Sequence, residues 1–146
     1  MAMPLAPEPK AEGAVPRSRP PRPIGIELAA AVLTVGGVFG VITLLANLAV
    51  VEGAVPPPPA AVAIELAIDV VSIVVGLLAR TGRGWILGIN VTAVFVFLYL
   101  TALPNAVALT FAVLDGFVFV MLLLHRPWFD AMKAWRDTES GPAGPR

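Results

Sequence analysis

Four long apolar stretches alternate with short polar or proline-rich segments along this chain. The stretches cover about residues 24–51, 60–79, 85–103 and 106–125. All fifteen prolines lie outside them, and proline ends or interrupts helices. Each stretch is close to the roughly 20 residues that a helix needs to cross the hydrocarbon of a bilayer. The pattern predicts four transmembrane helices and an all-α fold.

Residues 127–137, directly after the fourth stretch, predict a short fifth helix. Proline suits the first position of a helix, and Trp128, Met132 and Trp135 recur at helical spacing. We expect an amphipathic helix that lies in the cytoplasmic interface, with Trp85, Trp128 and Trp135 as interface anchors at headgroup depth. Two alternatives stay open: the helix is a docking surface for a partner, or it is an anchor without one.

The two ends of the chain differ from the four-span transmembrane domain, residues 24–126. Residues 1–23 form a basic, Pro-rich tail with little apolar surface to bury. This tail is predicted to be disordered, and so is the tail at 138–146.

The composition favours a membrane protein over a soluble domain. Of 146 residues, 58% are hydrophobic and 14% are charged, whereas roughly a quarter of the residues in a soluble domain are charged. The formal net charge is zero, so no overall field attracts nucleic acid and no such partner is expected. The absence of Cys and the single His exclude disulfides, thiolate sites and multi-His metal sites. We therefore expect no metal, no cofactor and no enzymatic activity.

The basic residues predict the orientation of the helices. All ten fall in the N-terminal tail, the second loop or the C-terminal segment, and the first and third loops have none. Basic residues favour the cytoplasmic side, so both termini and the second loop are predicted to be cytoplasmic. The ten residues are Lys10, Arg17, Arg19, Arg22, Arg80, Arg83, Arg126, Lys133, Arg136 and Arg146.

Polar residues inside the apolar stretches supply the candidate site. Asp69 lies eleven residues before Arg80, and Asp115 lies eleven before Arg126, so both are roughly 16 Å from the basic residues at a rise of ~1.5 Å per residue. Glu65 and Tyr99 lie slightly deeper by the same count. The candidate proton or cation site is therefore Glu65, Asp69, Tyr99 and Asp115.

The apolar stretches contain no basic residue that would neutralise these carboxyls. A charged Asp near the bilayer centre costs ~2.5–3.5 kcal/mol on insertion scales, so we expect at least one to be protonated at pH 7. One interpretation is a proton or cation relay. The alternatives are neutral carboxyls that hydrogen-bond between helices, or an acid that pairs with a basic residue of another subunit.

Two GxxxG pairs, Gly36 with Gly40 and Gly84 with Gly88, are candidate helix-packing positions. Glycines at this spacing allow the backbones of two helices to approach closely.

Three short segments carry a resemblance to a known group: RPIGI at 22–26, GRGW at 82–85 and LHRPWF at 124–129. They resemble small uncharacterised four-helix prokaryotic membrane proteins, which begin with Arg-Pro-x-Gly and end in a Leu-rich helix closed by Arg-Pro. The resemblance covers about residues 22–133 and implies no activity for any residue.

Together these observations predict a bundle of four antiparallel transmembrane helices in a prokaryotic plasma membrane. The leading hypothesis is a non-enzymatic scaffold or accessory subunit that contacts the lipid bilayer and a second copy or another membrane protein. The alternative is a proton-coupled or cation transporter that uses the intramembrane carboxyls.

Overall fold

The computed structural model describes residues 18–49 and 57–140, and this part of the chain is helical without any strand. Its five helices are α1 Ile24–Ala49, α2 Pro59–Arg80, α3 Trp85–Thr101, α4 Ala106–Leu124 and α5 Arg126–Glu139. Three of them, α1, α2 and α4, are long and apolar enough to cross a membrane, and α3 is an apolar helix of 17 residues.

Local sequence explains where these helices begin and end. Proline occupies the first position of α2, where a missing N–H costs nothing. The turn from α2 to α3 uses Gly82 and Gly84 at φ values of 72° and 70°, a conformation that residues with a Cβ rarely adopt. Asn105 caps α4, because its side-chain oxygen accepts hydrogen bonds from the backbone N–H of Val107 and Ala108 at 2.9 and 3.4 Å.

Three glycines allow α1 and α2 to pack with their backbones close together. A Cβ at Gly37 would lie 2.5 Å from the backbone oxygen of Asp69, and one at Gly76 would lie 2.9 Å from the backbone oxygen of Ala30. Gly40 directly faces the carboxyl group of Asp69. Any larger residue at these positions would push the two helices apart.

Each of the two predicted packing pairs needs a correction. A Cβ at Gly36 would meet no described atom within 4 Å, so the contact with α2 uses Gly37 together with Gly40. In the second pair, Gly88 packs against Leu122 of α4, whereas Gly84 serves the turn before α3.

Several contacts gather the basic residues at one end of the bundle, called the basic end below. Glu27 at the start of α1 pairs with Arg22 and, at 3.2 Å, with Arg80 at the end of α2. The indole Nε1 of Trp85 at the start of α3 donates to the carbonyl of Leu122 near the end of α4 at 2.9 Å. The starts of α1 and α3 and the ends of α2 and α4 therefore share this end with α5.

The core lies toward the basic end. In α2, for example, every buried residue lies between Ser72 and Ala79, and none lies in the first half of the helix. Large apolar side chains elsewhere on α1 to α4 are exposed, as Phe39, Phe97 and Val113 illustrate. Such a surface suits hydrocarbon and not water. The core cluster consists of Ile26, Ala29, Leu33, Val75, Ala79, Val118, Leu122, Trp128, Phe129 and Met132.

Helix α5 packs against the bundle through its apolar face. Trp128, Phe129 and Met132 are buried in the core, so Trp128 attaches α5 to the bundle, and its headgroup depth stays a prediction. Trp135 is half-buried, with the guanidinium of Arg19 5.7 Å from its ring centroid. Helical spacing of apolar residues marks a buried face, but it does not distinguish burial in protein from burial in lipid.

Most of the two predicted disordered tails lies outside the described residues, at 1–17 and 141–146. Residues 18–23 have no helix, although Arg22 pairs with Glu27. At the other end, Thr138 and Glu139 belong to α5, which is longer than predicted at both ends.

Gly37→Ala is expected to lower the free energy of unfolding by roughly 1–3 kcal/mol, because the added methyl group overpacks a backbone contact. Gly36→Ala is the matched control. It should leave stability unchanged or raise it by up to ~1 kcal/mol, since Ala favours helix over Gly. Unfolding of the full chain in mixed detergent micelles, followed by circular dichroism, measures both variants. Equal stabilities would contradict the α1–α2 contact.

Candidate functional site

A small cavity of about 60 Å³ lies inside the bundle, between α1, α2, α3 and α4. This volume exceeds the roughly 10–15 Å³ that one ordered water needs. Its polar lining consists of Asp69 and Ser72 from α2, Tyr99 from α3 and Asp115 from α4, and we refer to it as the carboxyl cavity. None of the described residues that line it is basic.

Asp69 reaches the carboxyl cavity because α1 has no side chain in its way. Its carboxyl group lies against Gly40, and Gly36 and Gly37 also line the cavity. The Oδ2 atom of Asp69 is buried and has no hydrogen-bond partner among the described residues. A buried oxygen of this kind requires a proton, a water molecule or a cation to offset its lost hydration.

Asp115 is the most enclosed acidic residue in the described part of the chain, at 9% exposure. Its carboxyl group makes no hydrogen bond or ion pair with the residues that the structure describes. The phenol of Tyr99 is half-buried nearby, and its ring stacks on Phe111 with centroids 5.3 Å apart and planes inclined by 22°. Tyr99 is therefore held on the α4 side of the cavity.

The carboxyl cavity is bounded on its two sides by different residues. Toward the basic end lie the buried apolar residues Leu33, which lines the cavity itself, and Val75 and Val118. Toward the opposite end lies the aromatic pair of Tyr99 and Phe111. The site thus sits between an apolar layer and an aromatic stack.

The structure brings together three of the four predicted site residues. Asp69, Tyr99 and Asp115 line one cavity, and counting residues from the basic ends had placed the two Asp side chains at one depth. Glu65 is exposed and does not line the cavity. Ser72 lines it, but its hydroxyl donates to the carbonyl of Ile68 at 2.9 Å within the same helix.

Sequence reasoning missed Gly37 and Phe111. The neighbouring pair Gly36 and Gly37 was a signal for the first, because either glycine completes a small-residue stripe with Gly40. Phe111 had no signal, since one aromatic residue among many apolar ones does not reveal what it stacks on.

The two carboxyls and the phenol of the cavity supply oxygen atoms that can hold a proton or a cation. Within residues 18–49 and 57–140 there is no group of three His, Asp or Glu that is placed to hold a metal ion. Carboxylate oxygens bind hard cations, and a carboxylic acid can take up and release one proton.

In comparisons with family models, curated proteins and solved structures, nothing matches this chain. The resemblance to small four-helix prokaryotic membrane proteins therefore stays a hypothesis, and the site is interpreted from its own geometry.

A lipid-soluble carbodiimide, which reacts with protonated carboxyls, is expected to label Glu65 faster than Asp69 and Asp69 faster than Asp115. This order follows the exposure of the three side chains. Mass spectrometry of peptides from the treated full chain measures the labelling rates. The variant Glu65→Gln is the control, because loss of one label in this variant assigns that label to Glu65. Fastest labelling at Asp115 would contradict the enclosed position of that residue.

Proposed function

We propose that this chain is a multi-pass integral membrane protein that binds a proton or a monovalent cation at the carboxyl cavity and couples this binding to transport. The observation that carries the proposal is the convergence of Asp69 and Asp115 on one internal cavity without a basic residue in its described lining.

The proposed topology has four antiparallel spans, in which the shorter helix α3 crosses the membrane together with α1, α2 and α4. At ~1.5 Å per residue, the 17 residues of α3 extend about 26 Å, at the lower end of the range for a membrane span. Antiparallel order is supported by the contacts of α1 with α2, because Gly37 meets Ile73 whereas Ala30, earlier in α1, meets Gly76 later in α2.

The proposed orientation places both termini and the second loop in the cytoplasm of a prokaryotic cell. The seven basic residues of the described part gather at one end of the bundle, which is the distribution that the positive-inside rule expects of a cytoplasmic end. The prokaryotic plasma membrane follows from the resemblance of the RPIGI, GRGW and LHRPWF segments.

Charge repulsion and lost hydration favour a site that binds and releases a proton or a cation. Two ionised carboxylates in one small cavity repel each other, and each loses hydration inside the membrane. Uptake of a proton or a cation removes this penalty, and release restores it. The Tyr99 hydroxyl can supply a further oxygen ligand for either species.

The second candidate function is that of a non-enzymatic scaffold or accessory subunit. It is favoured by Glu65, an exposed carboxyl in the first half of α2, where no described residue is buried. Polar side chains within a span usually face a protein or water-filled interior, so a second copy or another membrane subunit is the expected cover for Glu65.

Reporter fusions test the proposed topology. Fusions after Arg83 and Arg136 are expected to report the cytoplasm, and fusions after Gly53 and Asn105 the exterior, because all basic residues fall on one side. Paired alkaline phosphatase and fluorescent protein reporters give opposite signals at each site. An exterior signal after Arg83 would contradict four spans.

Asp69→Asn and Asp115→Asn are each expected to reduce pH- or cation-dependent flux in proteoliposomes at least tenfold, because an amide neither releases a proton nor carries a charge. Glu65→Gln is the matched control, since it also removes a carboxyl from α2 but outside the cavity. Flux is measured under imposed proton and Na⁺ or K⁺ gradients.

Thermal unfolding of the same variants separates transport from packing. The Asn variants should unfold near the temperature of the parent, since Asn keeps the size and hydrogen-bonding oxygen of a protonated Asp. A parent without flux under every gradient, together with unchanged Asn variants, would contradict the transport proposal and leave the accessory-subunit function.

A further inference from the structure

A second, larger cavity of about 430 Å³ opens at the basic end of the bundle. It lies between the turn at 82–84, the first turn of α3 and one face of α5. Four basic side chains line it, one from the turn before α3 and three from α5. These residues are Arg83, Arg126, Lys133 and Arg136, and we refer to this space as the basic cavity.

The charges of the basic cavity are only partly compensated. Asp130 is the one acidic residue in its described lining, and its carboxylate lies 3.8 Å from the Nε of Arg126. Arg136 is tethered by a hydrogen bond from Nη1 to the carbonyl of Thr81 at 3.3 Å. The side chains of Arg83 and Lys133 make no ion pair or hydrogen bond with the residues that the structure describes. Two cations are therefore available to an anion from outside.

The backbone at the same place adds to the positive potential. Gly84 precedes α3 as its N-cap residue and offers no side-chain cap, and Trp85, Ile86 and Leu87 of the first turn line the basic cavity. N–H groups at the start of a helix lack partners within the helix and carry partial positive charge. These N–H groups add to the positive potential of the four basic side chains, and those side chains define the site.

The lining of the basic cavity is amphiphilic. The exposed side chains of Ile86 and Leu87 border the cations on the side that faces outward from α3. Trp85 lies between the two types of surface, with the Arg126 guanidinium 5.0 Å from its ring centroid. This surface can accept an anionic group and offers apolar contact beside it.

We propose that the basic cavity binds a phosphate group, carried by an anionic phospholipid or by a small soluble phosphate. Arginine side chains match phosphate oxygens with paired donors, and basic pockets between membrane helices on the cytoplasmic side suit lipid headgroups. The proposal relies on the proposed function only for the membrane placement, and it makes no use of the carboxyl cavity.

Native mass spectrometry of the full chain in detergent tests the site. The parent is expected to bind phosphatidylglycerol at least tenfold more tightly than phosphatidylcholine. The double variant Arg83→Gln with Lys133→Gln should lose most of this preference, roughly tenfold or more, since two phosphate donors are gone. The matched control is Arg19→Gln with Arg80→Gln, which removes two charges at the same end but outside the cavity and should keep the preference.

Competition identifies the source of the phosphate. Displacement of the bound lipid by millimolar inorganic phosphate or glycerol 3-phosphate would assign the site to a soluble phosphate, and no displacement would assign it to the lipid. Equal losses in the two double variants, or no preference in the parent, would overturn the proposal.

Circular dichroism checks that the variants fold. If the double variant Arg83→Gln with Lys133→Gln does not fold, the single variant Lys133→Gln is compared with Arg80→Gln in the same assay. Flux through the parent is measured separately, so failure of transport and failure of phosphate binding are distinguishable.

Discussion

The backbones of α1 and α2 come together at Gly37, Gly40 and Gly76, and the position of Asp69 depends on this contact. Because Gly40 has no side chain, the carboxyl group of Asp69 turns toward α1 and remains inside the bundle. A larger residue at position 40 would occupy the space of that carboxyl. Membrane helices lack a hydrophobic driving force for association, so close van der Waals contact at small residues contributes much of their packing. The same glycines that hold the two helices together therefore also admit a polar group between them.

The helices were predictable from the sequence, whereas the way their faces pair was not. Prolines and runs of apolar residues placed the ends of α1 to α4 within about two residues, because proline and hydrophobic length act locally. Counting residues from Arg80 and Arg126 also placed Asp69 and Asp115 at one depth, since helical rise is constant. The depth of a residue in the membrane does not specify, however, how its helix is rotated about its own axis. Gly36 and Gly37 differ by about 100° around the helix, and sequence alone does not say which one faces α2.

Tertiary packing also explains two differences between the burial that the sequence predicts and the burial in the structure. Glu65 has the helical spacing that places it on the same face of α2 as Ser72 and Gly76, yet it is exposed, and no residue in the first half of α2 is buried. Trp128 has the spacing of an interfacial anchor, yet it is buried beside Phe129, with ring centroids 5.1 Å apart. A periodic pattern predicts that one face of a helix is buried, but the neighbour that buries it is a property of the whole fold.

The bundle keeps its two sets of charges apart. The cations gather at the basic end, and the carboxyls of Asp69 and Asp115 lie about three helical turns deeper at ~5.4 Å per turn. Between them lies the layer of Leu33, Val75 and Val118, each no more than 3% exposed. This apolar layer prevents the arginine side chains from neutralising the carboxyls directly. In the proposed function, the charge at the carboxyl cavity is therefore balanced by a bound proton or cation and not by an arginine of the basic end.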